Sequence, residues 1–230
     1  MKKIISKISK LLPYFLYLKI FGKINSYNHN PKELKFEEIV ESYRNIKQYL
    51  EETNAEFFLK LIDDTKVYGE YGVGFSTIFA NKYKNKYTIA VDSDQFWVNK
   101  VLQNSSSTTP IEISKISLGA VKEFGTPESY DFRHNIKSYL NAIWEKSLKP
   151  DLVYIDGRFR VACFLTSLIN AEKDTFIIFD DYALRPQYHF VELFEKPIQQ
   201  NNRQAIFKVS DNYDSEKLEY YIDKFEYVFD

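Results

Sequence analysis

The sequence is poor in the residues that define several common classes of protein. Its single cysteine, Cys163, cannot form an internal disulfide and lies in an apolar stretch, which favours a reducing, cytoplasmic location. One cysteine and three histidines also leave too few ligands for a zinc finger. The formal net charge of −1 excludes a chain that binds nucleic acid through a large positive charge. With 230 residues, 44% of them hydrophobic, the chain is long enough for one domain with a substantial core.

Long apolar runs are missing from the N-terminal region. The apolar run at residues 11–18 is too short to span a membrane, which takes about 20 apolar residues. It lies within a basic segment, residues 1–23, that contains six lysines and no acidic residue. This pattern fits two interpretations: a helix packed on the domain with its lysines in water, or peripheral contact with the anionic inner face of a membrane.

Glycine is scarce as well, with seven in the chain, yet three of them fall within residues 69–74. From residue 66 onwards, predicted strands alternate with predicted helices. The strands are Lys66–Gly69, Tyr87–Val91, Ile111–Leu118, Leu152–Ile155, Phe176–Phe179 and Gln204–Val209, and the helices are Phe75–Tyr83, Gln95–Leu102, Arg133–Leu148 and Val161–Ala171. This alternation predicts an α/β fold with a Rossmann-like, mostly parallel sheet covered by helices on both faces. A basic, helical N-terminal extension, residues 1–60, precedes this predicted domain of residues 61–230.

The glycine-rich turn after the first strand predicts a ligand site, because ligands bind beyond the carboxyl ends of parallel strands. Gly72 and Gly74 allow a tight turn, and Asp92 ends the next strand, where an acid can accept hydrogen bonds from ribose hydroxyls. A nicotinamide dinucleotide is one candidate, but Thr77 replaces the third glycine of its fingerprint. A carboxylate at Glu70 would repel a pyrophosphate and attract a sulfonium, which favours S-adenosylmethionine (SAM).

The motifs resemble those of class I SAM-dependent methyltransferases, and more narrowly those of a bacterial branch of that superfamily. The matching segments are Gly69–Thr77, Asp92, Glu123–Pro127, Asp151–Cys163 with its Asp-Gly-Arg-Phe-Arg block, and Ile178–Tyr182. The resemblance implies methyl transfer from SAM, which we expect to reach a hydroxyl of a small molecule or surface-glycan sugar. It also implies a set of cofactor-binding residues: Glu70, Gly72, Gly74, Ser76, Asp92 and Asp156.

Carboxylates at two neighbouring strand ends form a second candidate site. Asp156 follows the fourth strand, and Asp180 and Asp181 follow the fifth, so the three are expected to meet above the sheet. Three oxygen ligands suit Mg²⁺, as in metal-dependent O-methyltransferases, which this arrangement resembles. The alternative is that Arg158 or Arg160 neutralises Asp156 in an internal ion pair. If these arginines are free, they could instead clamp a carboxylate or phosphate on the acceptor.

The loop after the fifth strand supplies the candidates for proton transfer. Asp181 and His189 are the predicted general bases, with Asp156 in the same catalytic group and Tyr182 as a further substrate contact. Two other functions stay open at this level. The chain could be a non-catalytic, SAM-type binding subunit of a membrane-associated glycan assembly, or a nicotinamide dehydrogenase.

Overall fold

The computed structural model describes residues 36–122 and 125–229. The chain divides into two compact units, residues 1–39 and 40–230. Because the described residues begin at position 36, the basic segment of residues 1–23 lies outside them. Glu123 and Phe124 of one predicted motif also lie outside the described residues. Membrane contact through that segment stays a prediction. Among the described residues, none of the helices is long and apolar enough to cross a membrane.

In the described part of the chain, seven strands form a single sheet in the order β3-β2-β1-β4-β5-β7-β6. Their bounds are β1 Val67–Tyr71, β2 Tyr87–Asp92, β3 Ile111–Lys115, β4 Leu152–Ile155, β5 Phe176–Phe179, β6 Gln199–Gln200 and β7 Ala205–Lys208. Strands β1 to β5 pair in parallel, whereas β7 is antiparallel to both β5 and β6. The order reverses between β1 and β4, so the crevice expected in such sheets lies above these two strands.

Helices connect the strands and precede the sheet. Their bounds are α1 Phe36–Val40, α2 Tyr43–Glu52, α3 Glu56–Leu61, α4 Phe75–Ile78, α5 Gln95–Asn104, α6 Ile136–Asn141, α7 Arg160–Asn170 and α8 Ser215–Phe225. A π-helical turn, Phe79–Tyr83, continues α4, and 3-10 turns cover Arg133–Asn135, Tyr182–Leu184 and Pro186–Leu193. The prediction of a mostly parallel Rossmann-like sheet with helices is confirmed.

The core lies against the central strands, whose residues are apolar and almost fully buried. Strand β4, Leu152–Ile155, is buried along its whole length because it has neighbours on both sides and helices on its faces. Helix α7 is also buried over most of its length. This rigid centre fixes the positions of the loops that leave the carboxyl ends of β1, β4 and β5.

Several predicted bounds differ from the structure. Strand β1 continues to Tyr71, so Glu70 lies inside the strand and not in the turn. Strand β3 ends at Lys115, and the predicted helix Arg133–Leu148 is helical only as far as Asn141. Beyond that point the chain forms turns that bring the Trp144 indole 2.8 Å from the Tyr71 hydroxyl, to which it donates a hydrogen bond. This tertiary contact overrides the local helical pattern.

Candidate active site

The glycine-rich turn connects the carboxyl end of β1 to helix α4. Gly72 has a φ of +86°, and a Cβ placed on it would lie 2.6 Å from Gly157 Cα. Glycine is therefore required at Gly72 both by conformation and by the close approach of the loop after β4. Gly74 differs, because a Cβ there would meet no atom within 4 Å. The space beside Gly74 is therefore open.

Glu70 does not face this open space. Its side chain is fully buried and accepts hydrogen bonds from the hydroxyls of Ser76 and Thr77, the latter at 2.5 Å. Burial raises the pKa of Glu70 to about 8, although these two hydrogen bonds act in the opposite direction. The expectation that Glu70 and Ser76 meet the cofactor directly is therefore corrected. The Ser76 hydroxyl donates to the Glu70 carboxylate, and this hydrogen bond connects the start of α4 to β1. Glu70 can make this contact because it lies within β1 and not in the turn that follows.

Thr77 explains the missing third glycine of the dinucleotide fingerprint. Its hydroxyl accepts a hydrogen bond from the Gly74 N–H at 2.8 Å and donates one to Glu70. The residue therefore caps the first turn of α4 and orients the backbone of the glycine-rich turn.

Asp92 lies where the sequence placed it, at the end of β2. Its Oδ2 accepts a hydrogen bond from the Val73 N–H at 2.8 Å, and its Oδ1 accepts one from the Asp94 N–H at 2.7 Å. The Ser93 backbone also hydrogen-bonds to this carboxylate, and because a carboxylate has about four acceptor positions, one remains for a ribose hydroxyl. Asp94 caps α5, because its side chain accepts a hydrogen bond from the Phe96 N–H at 2.8 Å.

The three carboxylates predicted at the ends of β4 and β5 do meet. One oxygen from each of Asp156, Asp180 and Asp181 lies within 4.8 Å of the others. The Asp156 N–H donates to the Tyr71 carbonyl and the Asp180 N–H to the Ile155 carbonyl, both at 3.0 Å, so the loops leave the sheet side by side. Side-chain exposure falls from 37% for Asp156 through 23% for Asp181 to none for Asp180. Asp156 is therefore the most accessible member of this carboxylate cluster.

Asp180, the buried member, is compensated by residues of the β6–β7 turn. Two guanidinium nitrogens of Arg203 donate to its Oδ2, Nε at 3.0 Å, and Gln204 donates to its Oδ1 at 3.0 Å. Arg203 also donates to the Thr53 carbonyl at 2.6 Å. Burial by itself would raise the pKa of Asp180, but the charges of Arg203 and Arg160 lower it below the usual value. Asp180 is thus held as an ionised carboxylate.

Asp181 is surrounded by three guanidinium groups. Its Oδ2 lies 3.3 Å from Arg160 and 3.0 Å from Arg185, and its Oδ1 lies 3.4 Å from Arg203. Each of these contacts occupies positions through which the Asp181 carboxylate could accept a proton. Asp181 is therefore poorly placed to act as the general base, and its contacts indicate that it anchors the arginines.

Asp156 has a different environment. Among the described residues it makes a single ion pair, from Oδ1 to Arg160 at 3.0 Å. Burial and the nearby charge of Asp180 raise the pKa of Asp156, while Arg160 acts against the shift. A carboxyl group with a raised pKa and a partly exposed oxygen has the properties of a general base.

The carboxylate cluster does not fit a Mg²⁺ site. Three carboxylates already face three guanidinium groups, those of Arg160, Arg185 and Arg203, so their charges are balanced. A divalent cation would have to displace charged hydrogen bonds, which are about twice as strong as neutral ones. The carboxylates of this cluster form internal ion pairs with arginines, which is the alternative to a metal site that the sequence offered.

Dialysis against EDTA should leave SAM affinity and methyl transfer unchanged, because the charge of the cluster is neutralised by arginine. Calorimetry with SAM, before and after dialysis, measures the first quantity, and methyl transfer with added MgCl₂ measures the second. A loss of transfer that Mg²⁺ restores would contradict this prediction.

Two arginines follow Asp156, and the structure separates their roles. Arg160 is only 3% exposed and donates to the backbone carbonyls of Gly157, Asp156 and Asp180 at 2.9–3.0 Å. It is enclosed by these contacts, so the predicted contact between Arg160 and the acceptor is corrected. Arg158 is half-buried and donates to the Thr126 hydroxyl at 3.3 Å. Only Arg158 of the two keeps a surface that an acceptor could reach.

Tyr182 and His189 form a packed pair behind the cluster. The Tyr182 side chain is fully buried and donates a hydrogen bond to Glu192 at 2.8 Å, so it has no surface for an acceptor. The His189 ring packs on that of Tyr182 at 4.6 Å, and its Nε2 lies 3.2 Å from the Tyr182 carbonyl. These contacts favour a structural role for both residues over the predicted substrate and catalytic roles.

The site also contains residues that sequence reasoning missed. Arg185, Arg203 and Gln204 contact the carboxylate cluster, and Tyr49 of α2 packs against Phe75 at the start of α4. None of them belongs to a motif. A glutamine beside an arginine in a short hairpin gives no pattern that would mark it as the partner of a distant buried acid.

Comparison with known proteins agrees with the fold. No model of a known protein family matches the chain, and no curated protein matches it. Among solved structures, the chain is similar to a methyltransferase-like protein from Silicibacter pomeroyi, at 26% identity and a TM-score of 0.68 over 75% of this chain and 93% of that one. The sheet order, the antiparallel β7 and this likeness define the class I methyltransferase fold.

Two further solved structures have lower scores. The N-methyltransferase NodS from Bradyrhizobium japonicum, in complex with S-adenosylhomocysteine, matches at 9% identity and a TM-score of 0.47, over 76% of this chain and 97% of that one. CalS11, a TDP-rhamnose 3′-O-methyltransferase, matches at 13% identity and a TM-score of 0.45, over 86% of this chain and 94% of that one.

Proposed function

We propose that this chain is a SAM-dependent methyltransferase that acts on a hydroxyl group of a small molecule or surface-glycan sugar. One observation carries the proposal: the loop of Asp156 packs directly on the glycine-rich turn. The Gly72 and Gly157 backbones are in contact, and the Asp156 N–H donates to the Tyr71 carbonyl at 3.0 Å. A partly exposed carboxyl group with a raised pKa therefore stands beside the place where a cofactor would bind.

The residues present fit SAM. Asp92 keeps an acceptor position for a ribose hydroxyl, and Gly74 leaves open space at the N-terminal end of α4. Because Glu70 is buried, its carboxylate does not distinguish a sulfonium from a pyrophosphate, and the choice of SAM is supported instead by the likeness to the methyltransferase-like protein. When bound, SAM supplies a methyl group activated by its attachment to a sulfonium.

The protein's own part in the reaction is to orient the acceptor and remove its proton. A hydroxyl is a weak nucleophile, so transfer needs a base at the acceptor oxygen. Asp156 accepts that proton through the oxygen that Arg160 does not contact. Arg160, fixed by three backbone carbonyls, holds the carboxylate in place. Arg158 lies at the edge of the same loop, where it binds an anionic group of the acceptor.

Peripheral membrane contact through residues 1–23 belongs to the same proposal. Six lysines and the apolar run of residues 11–18 would bring the enzyme to an anionic membrane surface. The sequence pattern alone supports this part.

Replacing Asp92 with alanine should weaken SAM and S-adenosylhomocysteine binding by about 1–3 kcal/mol. The reason is that a ribose hydroxyl loses its charged acceptor and the Val73 N–H loses the contact that orients the turn. Isothermal titration calorimetry of the wild type and the variant measures the difference.

Asp94→Ala is the matched control, because it removes a helix cap two residues away and leaves the Asp92 side chain in place. Its thermal stability should fall while its SAM affinity stays unchanged. Wild-type protein that binds NAD and not SAM would refute the proposal in favour of a dehydrogenase. Binding of neither cofactor would also refute it.

A further inference from the structure

Tyr49 on α2 lies above the carboxyl edge of the sheet, although no motif marks it. Its ring packs on Phe75, the first residue of α4, with the ring centroids 4.4 Å apart. Phe75 directly follows Gly74, so this contact places Tyr49 beside the open space of the glycine-rich turn. The residue is half-buried, and one part of its surface is accessible.

The end of α2 is fixed over the carboxylate cluster by a second contact. The Thr53 N–H and hydroxyl both donate to the Tyr49 carbonyl at 3.0 Å, and the Thr53 carbonyl accepts a hydrogen bond from Arg203 at 2.6 Å. Arg203 is the residue that compensates Asp180. Tyr49 is therefore held at a defined position relative to β4 and β5, not carried on a loose terminal helix.

The electrostatic surroundings of Tyr49 agree with this position. Burial is the main reason that its pKa is raised; the charge of Arg203 opposes the shift, and the charges of Asp156 and Asp180 add to it. The phenol is thus neutral and can donate or accept a hydrogen bond. Within residues 36–122 and 125–229, the Tyr49 hydroxyl forms no hydrogen bond. Its capacity to donate and accept hydrogen bonds is therefore unused in the described part of the chain.

We infer that Tyr49 is a cofactor-positioning residue that contacts the amino-acid end of SAM, an inference that rests on the proposed function. With the ribose at Asp92 on β2, a cofactor that crosses the glycine-rich turn extends over β1 towards β4. The Tyr49 ring, which packs on Phe75 directly after the glycine-rich turn, borders that path. The ammonium and carboxylate of the methionine part are the groups that a neutral hydroxyl in this position would bind.

The test compares ligands with and without that amino-acid end. We expect Tyr49→Phe to weaken SAM and S-adenosylhomocysteine binding by about 10- to 150-fold, the range for one lost hydrogen bond to a charged group. Binding of 5′-methylthioadenosine, which lacks the amino and carboxyl groups, should not change. Isothermal titration calorimetry with all three ligands gives the comparison, and thermal unfolding checks that the variant is folded.

Tyr43→Phe serves as the matched control, because Tyr43 lies on the same helix but packs against Phe79 and Tyr83. It should leave all three affinities unchanged. If Tyr49→Phe binds every ligand like the wild type, or loses affinity for 5′-methylthioadenosine as strongly as for SAM, the inference is overturned. Wild-type protein that binds none of the three would instead refute the proposed function, so the two failures can be distinguished.

Discussion

Replacing Asp156 with asparagine should slow methyl transfer about 10²- to 10⁴-fold while SAM affinity stays nearly unchanged. Asparagine keeps the size of the side chain and can still accept a hydrogen bond from Arg160, but it cannot take the proton of the acceptor hydroxyl. Single-turnover transfer from methyl-labelled SAM, to the best acceptor in a panel of sugars, sugar nucleotides and small alcohols, measures the rate. Calorimetry measures the affinity.

The pH dependence gives an independent check of the same residue. The pKa of Asp156 is raised, and a base acts in its deprotonated form, so wild-type transfer should rise as the pH increases through that pKa and then level off. The asparagine variant should lack this rise. Asp174→Asn, at an exposed carboxylate that precedes β5, should retain both the rate and the profile of the wild type.

A full transfer rate in Asp156→Asn would mean that Asp156 is not the base. Transfer would then depend on Asp181 or His189 despite their contacts, and their variants would show the loss. Protein that binds SAM and transfers no methyl group to any acceptor in the panel would support the alternative of a non-catalytic binding subunit.

Most of the sheet could be predicted from the sequence, because the strands of a parallel sheet are buried on both faces. Val153 and Ile177 have neighbouring strands on both sides, so continuous apolar runs surrounded by polar residues identified β4 and β5. Strand β6 was missed because it has two residues, both exposed glutamines. Such an edge strand exists through its pairing with β7 and has no apolar pattern of its own.

Only those site residues that follow a recognisable strand could be placed from the sequence. Asp92, Asp156 and Asp180 were placed correctly, since each follows an apolar strand that the topology brings to one edge. What an individual side chain contacts there is decided by distant residues. Glu70 faces Ser76 and Thr77, and Asp180 faces Arg203, which is 23 positions away and outside every motif.

Replacing Arg203 with alanine should lower the free energy of unfolding by about 3–5 kcal/mol. Asp180 has no exposed surface, and without Arg203 its charge would be buried with only Gln204 and the more distant Arg160 to compensate it. The same change removes the hydrogen bond to the Thr53 carbonyl that holds the end of α2. Urea unfolding at pH 7, followed by circular dichroism, measures the loss.

Two further variants separate this explanation from a simple loss of surface charge. Lys173→Ala breaks an exposed pair with Asp211, and it should leave the free energy of unfolding nearly unchanged. Adding Asp180→Asn to Arg203→Ala removes the uncompensated charge, so the double variant should be more stable than Arg203→Ala alone.

The stabilisation by Asp180 should depend on pH. Because the pKa of Asp180 is lowered in the folded wild type, its contribution to stability is present at neutral pH and is lost as the pH falls through that pKa. The difference in the free energy of unfolding between wild type and Arg203→Ala should therefore become smaller in acid. A difference that stays constant from pH 7 to below pH 4 would show that the ion pair is not its source.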